Sequence, residues 1–349
     1  MAPPSPSHVW AAVLAGGTGS RFWPLSTPTR PKQLLPLAGG RPLLSQAVQR
    51  LAGLVAPERT LLLTGAMLAD AVAAAVPEVP RHNVLIEPRP ASTAAALAWA
   101  AQEITRRDPG AEPLMLSLHA DWAVGDDAAF RDAATRALSV AARHDVLVTV
   151  GVRPTRDETG YGYIVPGRAL KGQALGAARR VARFVEKPTA ARAKALRRRG
   201  ALWNTGLFAW SVSRFLEEAR THARELKRGW RALAAGDGPG FFAAVTPTAV
   251  DVAVLERTER LAVVAGRFSW DDIGSWDALR RIRPRDARGN VVVGDVTVAP
   301  DVRDCVLWAD GEQLTVIGVR DLVVVRANGR TLVTPTGRAE QLKAMVQRL

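Results

Sequence analysis

The run from His8 to Leu14 limits the fold more than any other stretch, because it is apolar and ends at once in Ala15-Gly16-Gly17-Thr18-Gly19. A short apolar run with no polar alternation predicts a strand covered on both faces. Glycines let the chain turn with positive φ and leave no side chain between the main chain and an incoming group. Bare N–H groups in succession make a concave anion site. Arg21 follows directly, and Lys32 comes later. A glycine loop backed by two cations suits the phosphates of a nucleoside triphosphate. The spacing is not a Walker A loop, since no Lys follows Gly19, and not a dinucleotide fingerprint, since Phe22 stands where the third glycine belongs. Taken alone, Gly-Gly-x-Gly is equally a tight turn after an edge strand.

The chain beyond the loop repeats the same grammar. Arg59–Thr64, Asn83–Glu87, Leu114–Leu118 and Val146–Val152 read as strands, and 43–54, 66–76, 92–105 and 126–143 as helices, with Ser92 as a plausible N-cap. Strands alternating with helices predict parallel βαβ units, a Rossmann-like α/β domain with a mainly parallel sheet. Ligands in such sheets bind beyond the carboxyl ends of the strands. Further on, 161–165, 180–185 and 261–268 read as strands, 166–176 as turn-rich, 189–199 and 212–235 as helical, and 276–281 as the start of a helix. After Pro284 come short valine-rich runs separated by turn residues, then a helix from about Gly337 to Leu349. This predicts a domain over 1–284 and a small β tail over 285–349, with a repeat too irregular to fix a β-helix from its period.

Composition sets further bounds. At 349 residues and 48% hydrophobic, the chain can bury a sizeable core. Its one cysteine, Cys305, excludes an intramolecular disulfide and fits a cytoplasmic protein. The first residues carry no Lys or Arg and read as no signal peptide, and no apolar run is long enough for a membrane span. The net charge of +14 is carried almost wholly by arginine. Arg179-Arg180 and Arg197-Arg198-Arg199 lack interleaved aromatics, and there is no helix-turn-helix, finger or RNA-binding signature. We therefore expect no specific nucleic-acid partner; the positive field would draw in anionic sugar phosphates and nucleotides.

Several later segments carry candidate chemistry. Asp121 follows an apolar strand, where an Asp can hold Mg²⁺ against phosphate oxygens or simply cap a turn. Phe268-Ser269-Trp270-Asp271-Asp272-Ile273-Gly274-Ser275-Trp276 puts two adjacent acids between tryptophans. Glu186-Lys187-Pro188 offers a hydroxyl acceptor and a cation, or a plain surface salt pair. Asn204, in Trp203-Asn204-Thr205-Gly206, can both donate and accept, and Gly162 would let a sugar approach the backbone. His119 and His144 lack metal-ligand spacing and read as structural or surface residues. No Ser/His/Asp or Cys/His nucleophile set is present.

Leu14-Ala15-Gly16-Gly17-x-Gly19-x-Arg21-x-x-Pro24-Leu25-Ser26, with Pro31-Lys32-Gln33, closely resembles the signature of the sugar-1-phosphate nucleotidyltransferases. Trp23 and the Lys-Gln pair resemble the mannose-1-phosphate guanylyltransferase branch most. The resemblance extends over nearly the whole chain through the four later motifs. It departs at Trp122, where the family has His, and at 89–95, where Ala91, Ser92 and Ala95 replace Arg, Asn and Pro.

What the resemblance implies is GTP plus mannose 1-phosphate giving GDP-mannose and pyrophosphate. Arg21 and Lys32 would be catalytic. Leu14, Ala15, Gly16, Gly17, Gly19, Glu87 and Thr93 would bind the nucleotide, and Gly162, Glu186, Lys187 and Asn204 the sugar phosphate. Asp121 and Asp272 would ligate Mg²⁺. It also implies a β-helix-like tail used for a homodimer. Many relatives carry a further isomerase domain; with the sequence stopping at Leu349, we expect no isomerase activity. The alternatives are another sugar, such as glucose 1-phosphate, or a catalytically silent homologue that binds nucleotide sugar.

Overall fold

The first strand, β1 (Val9–Leu14), is buried along its whole length. Val9, Ala11 and Val13 join one core cluster, and Trp10, Ala12 and Leu14 join another on the opposite face. That is the double burial its unbroken apolar run calls for. The computed structural model describes residues 8–346 except 18, 111 and 172–177.

Around β1 follow α1 (Leu43–Arg50), β2 (Thr60–Gly65), α2 (Ala69–Ala75), β3 (Val84–Glu87), α3 (Ser92–Arg107), β4 (Leu114–His119), β5 (Ala123–Val124), α4 (Asp127–His144) and β6 (Leu147–Val152). Then come β7 (Tyr163–Ala169), β8 (Arg179–Val185), α5 (Ala190–Arg198), β9 (Leu202–Ser211), α6 (Val212–His222), α7 (Trp230–Ala234), α8 (Gly238–Ala244), β10 (Leu261–Ala265), β11 (Trp270–Asp271) and α9 (Leu279–Ile282). Nine strands form one sheet in the order β3-β2-β1-β4-β9-β6-β10-β8-β7. Following the pairings outward from β1, seven strands point one way and only β9 and β8 oppose them. Helices α1, α2 and α4 cover one face, and α3, α6 and α8 cover the other.

The sheet is thus mainly parallel, as expected, but its centre holds β9, which the sequence reading did not assign as a strand. The polar start of β9, Trp203-Asn204-Thr205-Gly206, hides it. Its register against β6 shifts between Thr149 and Gly151, and Gly206 takes φ +77°. A bulge of this kind re-aims side chains at a functional rim.

Three local expectations need correction. Ser92 does not cap α3: it is itself at φ +63°, Ala91 holds the cap position, and no side chain bonds there. The 212–235 helix breaks after His222 into a 3₁₀ stretch before α7. The strand read over 261–268 stops at Ala265, where β10 ends. Of the expected 166–176 turn segment, 172–176 lie outside the described residues, as do 347–349 of the expected C-terminal helix, and β7 runs on to Ala169.

The tail winds as β12 (Val291–Val293), β13 (Val296–Val298), β14 (Val306–Ala309), β15 (Leu314–Val316), β16 (Leu322–Ala327) and β17 (Arg330–Pro335), then α10 (Leu342–Val346). Strands β12, β14 and β16 stack in parallel, as do β13 and β15, and β17 closes the stack antiparallel. This is a β-helical coil. Val291, Val306 and Val323 stand in register, so successive rungs are 15 and then 17 residues apart (306 − 291, 323 − 306). That unequal spacing is why no period shows in the sequence.

Candidate active site

The carboxyl ends of β1 and β4 bring the glycine loop and Asp121 together, because the two strands run in register from Val9↔Leu114 to Leu14↔His119. Gln33 fastens the loop from below. Its side-chain N–H groups donate to the carbonyls of Ala15 (2.7 Å) and Gly17 (3.3 Å). Gly19 is at φ +57°, and a Cβ there would collide with the backbone nitrogen of Lys32. The loop and the lysine are therefore packed directly against each other.

Lys32 lies at the centre of the site. Its Nζ donates to Asp121 Oδ2 at 2.8 Å and to the main-chain carbonyl of Asp272. Burial pushes the Asp121 carboxyl up, but the Lys32 ammonium and His119 outweigh it and hold it below the usual carboxylate range. Burial raises the Asp272 carboxyl, against the pull of Lys32 and Tyr161. Arg21 Nη1 reaches the Gly274 carbonyl at 3.4 Å from the other side. A cavity of about 360 Å³ is lined by Gly19, Arg21, Lys32, His119, Asp121 and Asp272. His119 is thus part of the site rather than a remote structural residue, and burial lowers its pKa.

The two adjacent acids divide their tasks. Asp271 is 4% exposed and takes a bidentate pair from Arg281 (2.7 and 3.1 Å) and the N–H of Ile273 (2.9 Å). Ile273 is at φ +48°, so the chain reverses there. Asp272 is left facing the cleft, with Oδ1 accepting from the Tyr161 hydroxyl at 2.6 Å. The neighbouring cleft, of about 600 Å³, is lined by Arg21, Tyr161, Lys187, Asp272, Thr336 and Gly337 among others.

Glu186, Gly162 and Asn204 also converge. A Cβ on Gly162 would lie 2.7 Å from Glu186 Oε2 and 3.4 Å from the Asn204 Cβ. Lys187 is 67% exposed and sits 3.3 Å from Glu186 Oε1. Asn204 has less capacity than its type allows. Its oxygen already accepts from the Thr149 hydroxyl (2.8 Å) and the Gly206 N–H (3.3 Å), and one amide N–H goes to Asp251 (2.8 Å). One N–H remains for a ligand.

Glu87 and Thr93 are on the same edge of the sheet but at its β3 side. Glu87 pairs in register with Gly65 at the end of β2. Thr93 accepts the Val250 N–H at 2.9 Å, which ties α3 to the 245–250 segment. Burial pushes the Glu87 carboxyl up to about 7.

Sequence reasoning missed Asp251, which opens a π-helical turn, Asp251–Leu255. Burial, with Glu186 nearby, raises its carboxyl to about 6. It also missed the roles of Gln33 and Tyr161, although both lie inside motifs already noticed. For Asp251 no spacing signal existed.

A metal requires hard oxygen donors here. Among the described residues, no group of three or more His, Cys, Asp or Glu could hold one. Asp121 and Asp272 contact the same lysine nitrogen, one by its side chain and one by its main chain. Two carboxylates, with the remaining positions left to water and substrate oxygens, fit a Mg²⁺-like ion. The cation Lys32 already satisfies part of that charge.

A further cavity, of about 750 Å³ between α1 and the loop before β2, is lined by residues such as Ser45, Val48 and Leu54, away from all of these groups. No described helix is long and apolar enough to cross a membrane.

Comparison with known proteins gives the family. Residues 10–289 match the Nucleotidyl transferase family, and 295–349 match the MannoseP isomerase/GMP-like beta-helix domain. The chain is 34% identical over 355 residues to a mannose-1-phosphate guanylyltransferase of Escherichia coli K12, covering 98% of this chain and 74% of that one. It is 35% identical over 350 residues to the alginate biosynthesis protein AlgA of Pseudomonas putida, covering 97% and 70%. A solved structure described as a mannose-1-phosphate geranyltransferase from Thermus thermophilus superposes with a TM-score of 0.88 at 38% identity, covering 98% and 99%. The loop, the paired aspartates and these matches agree: the chain belongs to the nucleotidyl transferase family and is a nucleotidyltransferase of its mannose-1-phosphate guanylyltransferase branch.

Proposed function

We propose that the protein transfers GMP from GTP to mannose 1-phosphate, giving GDP-mannose and pyrophosphate. The observation that carries this reading is Lys32 set between Asp121 and Asp272 beside a glycine loop, with Arg21 across the cleft. An oxygen of the sugar phosphate attacks the α-phosphorus of GTP, the bond from that phosphorus to the β-phosphate bridge breaks, and pyrophosphate leaves. Such a transfer needs positioning and charge neutralisation, and no covalent enzyme intermediate.

The glycine turn that follows Leu14 and Ala15 offers main-chain N–H groups to the triphosphate, the Ala15 N–H itself being spent on the Leu63 carbonyl. Arg21 stabilises the leaving pyrophosphate. Lys32 exchanges its aspartate partners for oxygens of the α-phosphate. Glu186, Lys187, Gly162 and the spare N–H of Asn204 seat the sugar phosphate. Glu87 and Thr93 border the nucleotide. Mg²⁺ would be held by Asp121 and Asp272, and when bound supplies further neutralisation of the phosphate oxygens. We also propose a catalytic domain over 1–284, a homodimer formed through the tail at 285–349, and a cytoplasmic location.

The test is pyrophosphate release with Mg²⁺, crossing GTP, ATP, UTP and dTTP with mannose 1-phosphate and glucose 1-phosphate. Turnover confined to GTP with mannose 1-phosphate is expected. Turnover with another pair would move the substrate assignment. No turnover from protein that still binds a nucleotide sugar would identify a silent homologue.

A further inference from the structure

We propose that Arg156 and Tyr161 are positioning residues for Asp272, committing its Oδ1 to a fixed hydrogen bond and so presenting Oδ2 to a divalent cation. This rests on the metal assignment above.

The geometry leaves little freedom. Tyr161 is 6% exposed, and its ring is held edge-on by Trp203 (5.1 Å) and Trp270 (5.0 Å). Its hydroxyl sits 2.6 Å from Asp272 Oδ1 and 3.0 Å from Arg156 Nη2. Arginine can only donate, and an ionised carboxylate can only accept. The hydroxyl proton must therefore point at Asp272, while its lone pair takes the guanidinium. The Asp272 N–H also points at this oxygen, at 3.4 Å.

Arg156 is held in turn. It donates to Glu158 Oε2 (3.0 Å), lies 3.5 Å from Asp271 Oδ2, and stacks over Trp203 (5.0 Å). The relay thus runs from a clamped arginine, through a clamped phenol, to one oxygen of one carboxylate. Cations stand near Asp272. Lys32 already binds its main-chain carbonyl, and Arg21 and Arg281 line the same cleft. A neutral donor satisfies one oxygen without cancelling the charge that a cation needs at the other.

Tyr161→Phe keeps the ring between its two tryptophans and removes only the hydroxyl. Binding of Mn²⁺ alone is followed by electron paramagnetic resonance in wild type, Tyr161→Phe and Asp272→Asn. The Mg²⁺ concentration for half-maximal pyrophosphate release is measured in parallel. Loss of an outer partner of a metal ligand commonly weakens binding about 10- to 100-fold. We expect at least a tenfold weaker Mn²⁺ affinity in Tyr161→Phe, the same shift in Mg²⁺ requirement, and a KM for the sugar phosphate within about twofold at saturating metal.

Wild-type Mn²⁺ affinity in Tyr161→Phe, alongside a loss in Asp272→Asn, would overturn the relay and leave the metal assignment standing. Unchanged affinity in Asp272→Asn would overturn both. If Tyr161→Phe does not fold, Arg156→Lys serves instead. It keeps the charge but not the two-pronged donation to the phenol and Glu158. A Mn²⁺ affinity weakened by at least about threefold is expected, and an unchanged one overturns the relay.

Discussion

Glu87 shows how burial alone can make one residue answer to pH. Its carboxyl is pushed up to about 7 from an ordinary 4.5, and desolvation is the cause. The folded state therefore binds a proton that the unfolded chain has released between these values. That contribution to stability is complete below pH 4.5 and is lost as pH rises through 7. The shift corresponds to at most about 3 kcal/mol. Urea unfolding of Glu87→Gln against wild type should show the variant gaining relative stability between about pH 4.5 and pH 8. A constant difference across that range would show that Glu87 is solvated. The residue scale also explains what was legible early. Arg21, Lys32, Asp121 and Asp272 could be named from the sequence because each lies in a short motif with a fixed chemical type. Tyr161 and Asp251 could not be assigned roles, because their partners, Asp272 and Asn204, are far away in the chain.

The element that ties sequence to site is the turn after β1. Gly19 accepts φ +57°, and its missing Cβ is the space into which Lys32 packs. Gly19→Ala adds modest backbone strain, since only glycine visits this region without cost. The larger effect is the collision with Lys32, which must move away from Asp121. We expect turnover to fall at least about tenfold, more than 1.4 kcal/mol in the barrier, with a measurable drop in melting temperature. Gly16→Ala meets no neighbour within 4 Å and has no positive φ, so its melting temperature should match wild type. Calorimetry of the two variants side by side separates the collision from a general intolerance of the loop. At this scale the apolar runs were readable because a strand buried on both faces needs apolar residues throughout. Strand β9 was not, since its bulge and polar start serve the site rather than the core.

At the scale of the whole molecule, the tail braces the catalytic loops. Phe22, next to Arg21, packs edge-on against Trp276 (5.2 Å), which packs against Trp308 of β14 (5.6 Å). Trp276 donates to the Trp23 carbonyl at 3.1 Å, and Asn328 donates to the Pro24 carbonyl at 2.8 Å. Arg283 lies over Trp308 and donates to the carbonyls of Pro36, Leu37 and Gly39. Thr336 and Gly337 then form part of the wall of the cleft that holds Arg21 and Asp272. Trp308→Ala should cost about 3–5 kcal/mol of stability by leaving a cavity. It should also lower kcat in protein that remains folded, because Trp276, on which Phe22 packs, loses its own support. Urea denaturation and steady-state kinetics on one preparation check both. Lost stability with unchanged kcat would restrict the tail to a passive brace.

Local rules were enough to specify the α/β class, the glycine loop at a strand end and the short β tail, while motif resemblance singled out Arg21, Lys32, Asp121 and Asp272. Those rules are which residues tolerate burial, which allow positive φ, and which carry charge at neutral pH. The three-dimensional packing alone decided that Asp271 is neutralised by Arg281 while Asp272 faces the cleft, that Asn204 has one donor to spare, and that the tail walls the site. These depend on contacts between segments far apart in the chain, and no local pattern records which distant partner a side chain will meet.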